Sequence, residues 1–387
     1  MIAKVSVTAV DVIEWLASDE CHAYDGARLI GALAAMLDEC GLPVQRLVFH
    51  LRVPHPTIFG RSIAWAPGEP VAFLDIEHGV ERSERIRASP VLHVMSTRDW
   101  LVLRMDDRRW TLHDIFVGRG LTELCIAPLL HDVGEGPSSA VTFGTQKPGG
   151  YSPADLHLLR RIMPALRGAL ELKMWRRTTE TMLETYIGSD PEKRILSGRV
   201  RRGDVETLEA ALMFCDMQGF TELSNRLSSE RVLEVLNAYF DEVVPAVAQH
   251  GGEVLKFMGD GLLAFFRDEA GAGPSCAAAL MAARLIGQRL NTLSLPDGAV
   301  RAGIGLHYGE VSYGNIGSGK RLDFTVIGRD VNLTSRIQGV CGRTSHRLLL
   351  SRRFTELLAL PGAVSIGGRH DLKGFAEPVE LFAWTED

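Results

Sequence analysis

The stretch at residues 211–266 constrains this chain most. It reads ALMFCDMQGFTEL, then a long amphipathic segment, then GGEVLKFMGDGLLAFF. An apolar run at 211–215 ends on Asp216, and Gly219-Phe220 then opens a helix at Thr221. Two strand-like runs, 253–257 and 262–266, are joined by Met258-Gly259-Asp260-Gly261, a hairpin signal. Asp216 and Asp260 therefore sit at or beside strand ends in one domain. If those strands are neighbours, the two acids converge. Paired acids beside a glycine-containing loop that opens a helix suit Mg²⁺ and phosphate oxygens.

The rest of the chain sets bounds on this reading. Its 387 residues imply two or three domains, and 46% hydrophobic content is enough for ordinary cores. A formal charge of −6 argues against general electrostatic binding to nucleic acid. The six cysteines include no CxxC pair, which suits reduced thiols in a cytosol. Acidic residues come too early for a signal peptide, and no apolar run is long enough to span a bilayer. A cytoplasmic protein with no membrane partner is the expectation.

In chain order, 10–17 and 27–40 have helical spacing. Strand-like runs follow at 46–53, 62–65, 71–76, 100–105, 121–128 and 139–143. Ser152-Pro153-Ala154-Asp155 is a helix start, with Ser as N-cap, Pro at the first position and an acid in the first turn. The helix should kink at Pro164 and run to about Tyr186. Two readings of it stay open: a helix packed on its own domain, or a parallel coiled coil joining domains in a dimer. Residues 187–202, with Gly, Ser, Pro and a basic cluster, read as a hinge.

The N-terminal order of helices, strands and a long exit helix resembles a GAF-type sensor domain. That resemblance implies a small-molecule ligand in a pocket on the sheet. His50, His55, His78, His93 and His113 lie in this region without metal-ligand spacing.

In the C-terminal half, 321–327 is strand-like and a helix follows at about Val331. Asn332 and Arg336 are four apart and share one face of it. An amide there can orient a ribose, and a guanidinium can take up charge developing on a phosphoryl group. Alone, such a pair is more often plain helix surface. It is accompanied by FCDMQGFT, KFMGDG, GEVSYGNIG, DFTVIGRDVNLTSR and DLKGF, in that order. Together these motifs resemble the catalytic domain of class III nucleotidyl cyclases over about 209–384.

The resemblance implies an α/β (α+β) chain: residues 1–174 a GAF-like mixed-sheet sensor domain, 175–207 a helical linker and hinge, and 208–387 a ferredoxin-like cyclase domain. It implies a homodimer with sites at the subunit interface. Asp216 and Asp260 match the family's metal acids, which hold two Mg²⁺ per site, with Mn²⁺ able to substitute. The backbone at Met217, Gly219, Phe220 and Thr221 matches the triphosphate cradle, and Lys373 a triphosphate-contacting lysine. Lys256 and Thr325 match the base-reading pair; a threonine in that place resembles the soluble, bicarbonate-responsive branch, so bicarbonate is an expected effector. Asn332 and Arg336 match the ribose-orienting and transition-state residues. Arg329 departs from the family pattern; contact with phosphate and shaping of its loop both stay open. His307 is expected to be structural. The expected activity is adenylate cyclase acting on ATP, with a cyclase for GTP or a pyrimidine triphosphate, or an inactive nucleotide-binding module, as the rivals.

Overall fold

The computed structural model describes residues 7–107, 109–111, 116, 118–129, 138–319, 321–344, 346–359, 363–366 and 368–384. The chain divides into two compact units, Met1–Met182 and Leu183–Asp387.

The first unit opens with α1 (Ala9–Leu16), α2 (Asp19–Ala23) and α3 (Gly26–Glu39). Strands β1 (Arg46–Arg52), β2 (Ile58–Trp65) and β3 (Ala72–Glu77) follow, then short helices α4 (Glu84–Arg87) and α5 (Pro90–Thr97). Strands β4 (Leu101–Arg104), β5 (Glu123–Pro128) and β6 (Ala140–Thr145) complete a sheet of order β3-β2-β1-β6-β5-β4. All of its pairings are antiparallel. Successive side chains of a strand point to opposite faces, so the central strands feed two cores. Leu47 and Phe49 of β1 join α1 and α3 on one face. Val48 joins Val94, Met95 and Phe116 on the other.

Helix α6 (Pro153–Ile187) runs unbroken through Pro164. Its start is the reciprocal cap expected from the sequence: Asp155 N donates to Ser152 Oγ (3.2 Å) and Ser152 N to Asp155 Oδ2 (2.8 Å). Leu159, Ile162, Met163, Leu166 and Leu170 are buried against the sheet. Beyond them Leu172 and Trp175 are exposed.

The second unit begins with α7 (Ser189–Leu196), inside the segment expected to be a hinge. Then come β7 (Val205–Met217), α8 (Phe220–Arg226), α9 (Ser229–Gln249), β8 (Glu253–Met258), β9 (Gly261–Arg267) and α10 (Ala272–Thr292). The remainder is β10 (Ala302–Ser318), β11 (Arg321–Ile327), α11 (Arg329–Cys341), β12 (Leu348–Ser351), α12 (Arg352–Leu358), β13 (Ala363–Ser365) and β14 (Leu381–Trp384). The sheet runs β13-β14-β12-β10-β7-β9-β8, with β11 paired to β10. Four of its strands, taken as β10-β7-β9-β8, stand in the fourth-first-third-second order of a ferredoxin-like fold, as expected. One face of the sheet is covered by α9 and α10: Met213, Cys215 and Met217 of β7 pack there with Tyr239, Val243 and Ile286. Asp216 therefore points from the opposite face. Among the described residues no helix is long and apolar enough to cross a membrane.

Candidate active site

The site is built at the ends of the two central strands. Asp216 lies next to the end of β7, opposite Gly261 on β9 and Gly303 on β10. Asp260 sits in the two-residue loop closing β8 onto β9, where Met258 pairs with Gly261. Gly259 takes φ +68° there, the glycine-first form of a tight hairpin turn. Gly261 is constrained by space: a Cβ on it would stand 2.7 Å from Asp216 Oδ1. The missing side chain leaves room for the carboxylate.

Asp216 and Asp260 are thus brought together. Burial, followed by the charge of Asp260 and a hydrogen bond with it, pushes the Asp216 carboxyl up to about 6. The nearby Asp260 makes a charged Asp216 costly in this half-buried place, and a cation relieves that cost. Among the described residues no group of three or more His, Cys, Asp or Glu could hold a metal. Two carboxylates completed by phosphate oxygens and water is a Mg²⁺ arrangement, so the donor set fits that ion.

Beyond Asp216, Met217 is buried and Gly219 takes φ +78° as the N-cap of α8. Phe220 packs partly into the helix-side core, and Thr221 is exposed. The turn is tied down where Gln218 N donates to Arg301 O (2.8 Å).

Lys256 lies on β8 and Thr325 on β11. Thr325 is buried and pairs with Gly314 of β10. Asp323, two residues earlier on the same face of β11, was not singled out from sequence. Its Oδ2 lies 3.8 Å from Lys256 Nζ. Strand alternation was the available signal, because a residue two before Thr325 must share its face. Lys256 and strand β11 therefore meet within one chain.

Helix α11 buries Val331, Thr334, Ile337 and Val340 and leaves Asn332 and Arg336 exposed, one turn apart. Lys373 is exposed in a turn anchored by buried Leu372, where Phe375 N donates to Leu372 O (3.0 Å). The Arg329 guanidinium stands 5.5 Å over the Phe375 ring. Arg329 thereby braces the turn that carries Lys373. His307 is buried, with Nδ1 2.7 Å from Ser351 Oγ and Nε2 3.3 Å from Asp330 Oδ1. Burial works against the Asp330 carboxylate, yet His307 and the Glu310 N–H hold its pKa below the usual value. Among the described residues no ion pair or hydrogen bond joins Asn332, Arg336 or Lys373 to the two aspartates.

Residues 205–379 match the family model described as Adenylate and Guanylate cyclase catalytic domain. The C-terminal unit carries a cyclase catalytic domain. An adenylate cyclase of Anabaena cylindrica is 31% identical over 173 residues, covering 42% of this chain and 34% of that protein. An uncharacterized protein of Mycobacterium tuberculosis is 34% identical over 178 residues, 46% of this chain and 31% of that protein. This chain thus spans about a third of the length of the curated relatives it matches. Among solved structures, the adenylyl cyclase CyaB from P. aeruginosa is 28% identical with a TM-score of 0.42, over 48% of this chain and 97% of that one. The guanylyl cyclase Cya2 is 31% identical with a TM-score of 0.39, over 46% and 92%.

The first unit holds a separate feature. A cavity of about 330 Å³ opens between β1, β2, β3 and α5, lined by Phe59, Ile76, Leu92, Met95 and Phe116 among others. His50 lies on its wall, Nδ1 3.1 Å from Ser62 Oγ and Nε2 3.0 Å from Thr142 Oγ1. His78 Nε2 lies 2.8 Å from His55 O, and His93 packs at a tilt against the Trp110 ring. His113 lies outside the described residues.

Proposed function

We propose that the protein is an adenylate cyclase, converting ATP to 3′,5′-cyclic AMP and pyrophosphate as a homodimer controlled by its N-terminal unit. The observation that carries this reading is the convergence of Asp216 and Asp260 at the strand ends of a cyclase domain. In each site one subunit contributes the aspartates and its partner contributes the base-reading set. The exposure of Phe257, Met258, Leu322 and Ile327, on the strands that carry Lys256 and Thr325, supports a face that another chain covers.

Asp216 and Asp260 would hold two Mg²⁺ ions, which when bound make the 3′-hydroxyl a better nucleophile and neutralise charge on the leaving pyrophosphate. The backbone from Met217 to Thr221 and Lys373 hold the triphosphate. Asn332 orients the ribose so that the 3′-oxygen lies in line with the α-phosphorus. The new bond joins those two atoms as the hydroxyl releases its proton to water, and the bond from the α-phosphorus to the pyrophosphate oxygen breaks. Arg336 takes up the charge that grows on the α-phosphate, a contact whose loss typically costs about 10²–10³-fold in rate.

Base choice follows from donors and acceptors. Lys256 only donates and meets N1 of adenine, while Thr325 Oγ1 accepts from the 6-amino group. Guanine presents a donor at N1, which leaves Lys256 facing the wrong edge. Asp323 beside Lys256 orients it. The first unit acts as the sensor, with its cavity as the ligand pocket, and bicarbonate is a second candidate effector through Thr325.

The experiment is incubation of the pure protein with each of four nucleoside triphosphates and Mg²⁺ or Mn²⁺. Cyclic AMP as the main product supports the proposal. Cyclic GMP as the main product replaces ATP by GTP, and no cyclic product from any triphosphate sinks it.

A further inference from the structure

Helix α11 lies directly on β10, on the sheet face to which Asp216 points. Residues 303, 305, 307 and 309 of β10 share that face, and all but His307 are glycine. A Cβ at Gly303 would stand 2.9 Å from Cys341 Cβ, and one at Gly305 2.5 Å from Gln338 N, so the helix rests on bare backbone. A Cβ at Gly309 would run into the Asp330 carboxylate. His307 is the side chain kept in this row, and it bridges two helices. Its Nδ1 stands 2.7 Å from the oxygen of Ser351, the N-cap of α12. Its Nε2 faces Asp330 Oδ1, in the first turn of α11, at 3.3 Å. Phe354 N donates to Ser351 Oγ (3.3 Å), which leaves the serine hydroxyl to donate to Nδ1 and a proton on Nε2 toward Asp330. The other Asp330 oxygen accepts from Glu310 N (2.9 Å). The N-cap of α11 is Gly328, which has no side chain to hold that turn; Asp330 holds it instead.

The order Ser351, His307, Asp330 is that of a nucleophilic triad, but Ser351 and His307 are only 3% and 4% exposed, so no substrate reaches them. We infer that His307 and Asp330 are positioning residues for the cyclisation: they peg the first turn of α11 to the sheet and so place Asn332 and Arg336 against the reacting atoms. This rests on the cyclase reading above. Asn332 and Arg336 follow Asp330 by two and six residues on the same helix. The groups assigned to the triphosphate and the base ride on other elements: residues 217–221 at the end of β7, Lys256 on β8, Thr325 on β11 and Lys373 in the turn before β14. Slack in α11 therefore reaches the bond-making step and spares ground-state binding. A misplacement of about 1 Å at reacting groups can cost about 10²-fold in rate. Burial works against the Asp330 charge, but His307, the Glu310 N–H and the charge of Arg353 on α12 favour it, so the peg stays ionised.

The test is steady-state kinetics of the full chain with whichever triphosphate it cyclises, well below every melting transition. Asp330→Asn keeps the shape and removes the charge; His307→Leu fills the space without a donor. Each should lower kcat at least about tenfold and leave KM within about twofold. His307→Gln, whose amide can still donate to Asp330, should keep kcat within about threefold of the unaltered chain. Ile286→Val, in the core on the other sheet face, is the control for lost stability: it should lower Tm and leave kcat unchanged. Should His307→Leu fail to fold, Asp330→Asn and His307→Gln still decide. Full kcat in Asp330→Asn, a KM that rises as far as kcat falls, or a His307→Gln chain as impaired as Asp330→Asn would each overturn the inference. An unaltered chain that makes no cyclic nucleotide would remove the cyclase reading and this inference with it, whereas an active chain with insensitive variants removes this inference alone.

Discussion

Lys256 Nζ lies 3.8 Å from Asp323 Oδ2, so the lysine that would read the base is already paired inside its own chain. The pair is partly open to solvent, at 36% and 64% exposure, and pairs of that kind contribute at most about 1 kcal/mol. Its value lies in aiming the ammonium. Asp323→Asn should raise KM for ATP by up to about fivefold and narrow the preference for ATP over GTP, with kcat little changed. Steady-state kinetics on both nucleotides check this; an unchanged KM would remove Asp323 from base recognition.

The second prediction concerns the space at Gly261. A Cβ there would stand 2.7 Å from Asp216 Oδ1, so Gly261→Ala must displace the carboxylate. Activity should fall by about 10²-fold or more, as for the loss of a major electrostatic contact, while the circular dichroism spectrum stays native. Asp216→Ala and Asp260→Ala should abolish turnover with the fold intact. Near-normal rates in either aspartate variant would refute the metal assignment.

A third prediction follows from the raised pKa of Asp216. Its folded value of about 6 exceeds its ordinary 3.8, so between those values the folded state binds the extra proton. The metal-free protein should therefore lose stability as pH rises through that window, and the loss should be complete above it. Asp216→Asn should flatten this part of the profile, and Mg²⁺ should do so in the unaltered protein. Melting temperatures measured from pH 4 to 7 decide the matter, since a profile identical in Asp216→Asn would show no strain between the acids.

The shared-site arrangement makes a fourth prediction. Asp260→Ala and Arg336→Ala chains should each be inactive alone. Mixed, they form heterodimers in which one site carries both defects and the other carries neither. Up to about a quarter of full activity should return, because half the dimers are mixed and half their sites are intact. No recovery after subunit exchange, verified with differently tagged chains, would place each whole site within one chain.

Much of this architecture could be read from residues alone, for identifiable reasons. Strand β11 was expected at 321–327 and is found as Arg321–Ile327, because charged and glycine-rich turns bound it on both sides. The Ser152 and Asp155 cap is local chemistry, so it was legible. Strand β7 was longer than its apolar core at 211–215 suggested. Its first half, Val205 to Glu209, is mostly exposed and gives no hydrophobic signal, yet it pairs along β10 as far as Gly314. Strand β10 continues past Leu306 through Gly309 and Gly314, which look like loop when read along the chain. Pairing with β7 and β11 keeps them in strand, and they lack a side chain because a Cβ at Gly309 would run into the Asp330 carboxylate and one at Gly314 into Asp204 O. Those partners are distant in sequence, and their closeness cannot be read locally.

Residues 187–202 show the same limit. Their composition suggested slack, but α7 is pinned to the sheet. Asp190 N donates to Glu253 Oε1 (2.8 Å), Arg194 Nε donates to Asp190 Oδ2 (2.7 Å), and Arg267 Nη2 lies 3.0 Å from Asp190 Oδ1. Burial works against the Asp190 carboxylate, and its partners, Tyr313 and the two arginines, nonetheless hold its pKa below the usual value. Charge placed for a partner sixty residues away looks, along the chain, like charge placed for water.

The uncovered side chains of Phe257, Met258, Leu322 and Ile327 carry a cost for a chain on its own. Separated by dilution, it would lose half of every catalytic centre and would also turn a greasy flank to water. Scarcity would then silence the molecule and leave it prone to clump, whereas abundance would both switch it on and shelter it. How much of the protein a cell keeps would itself become a control on how much signal is made.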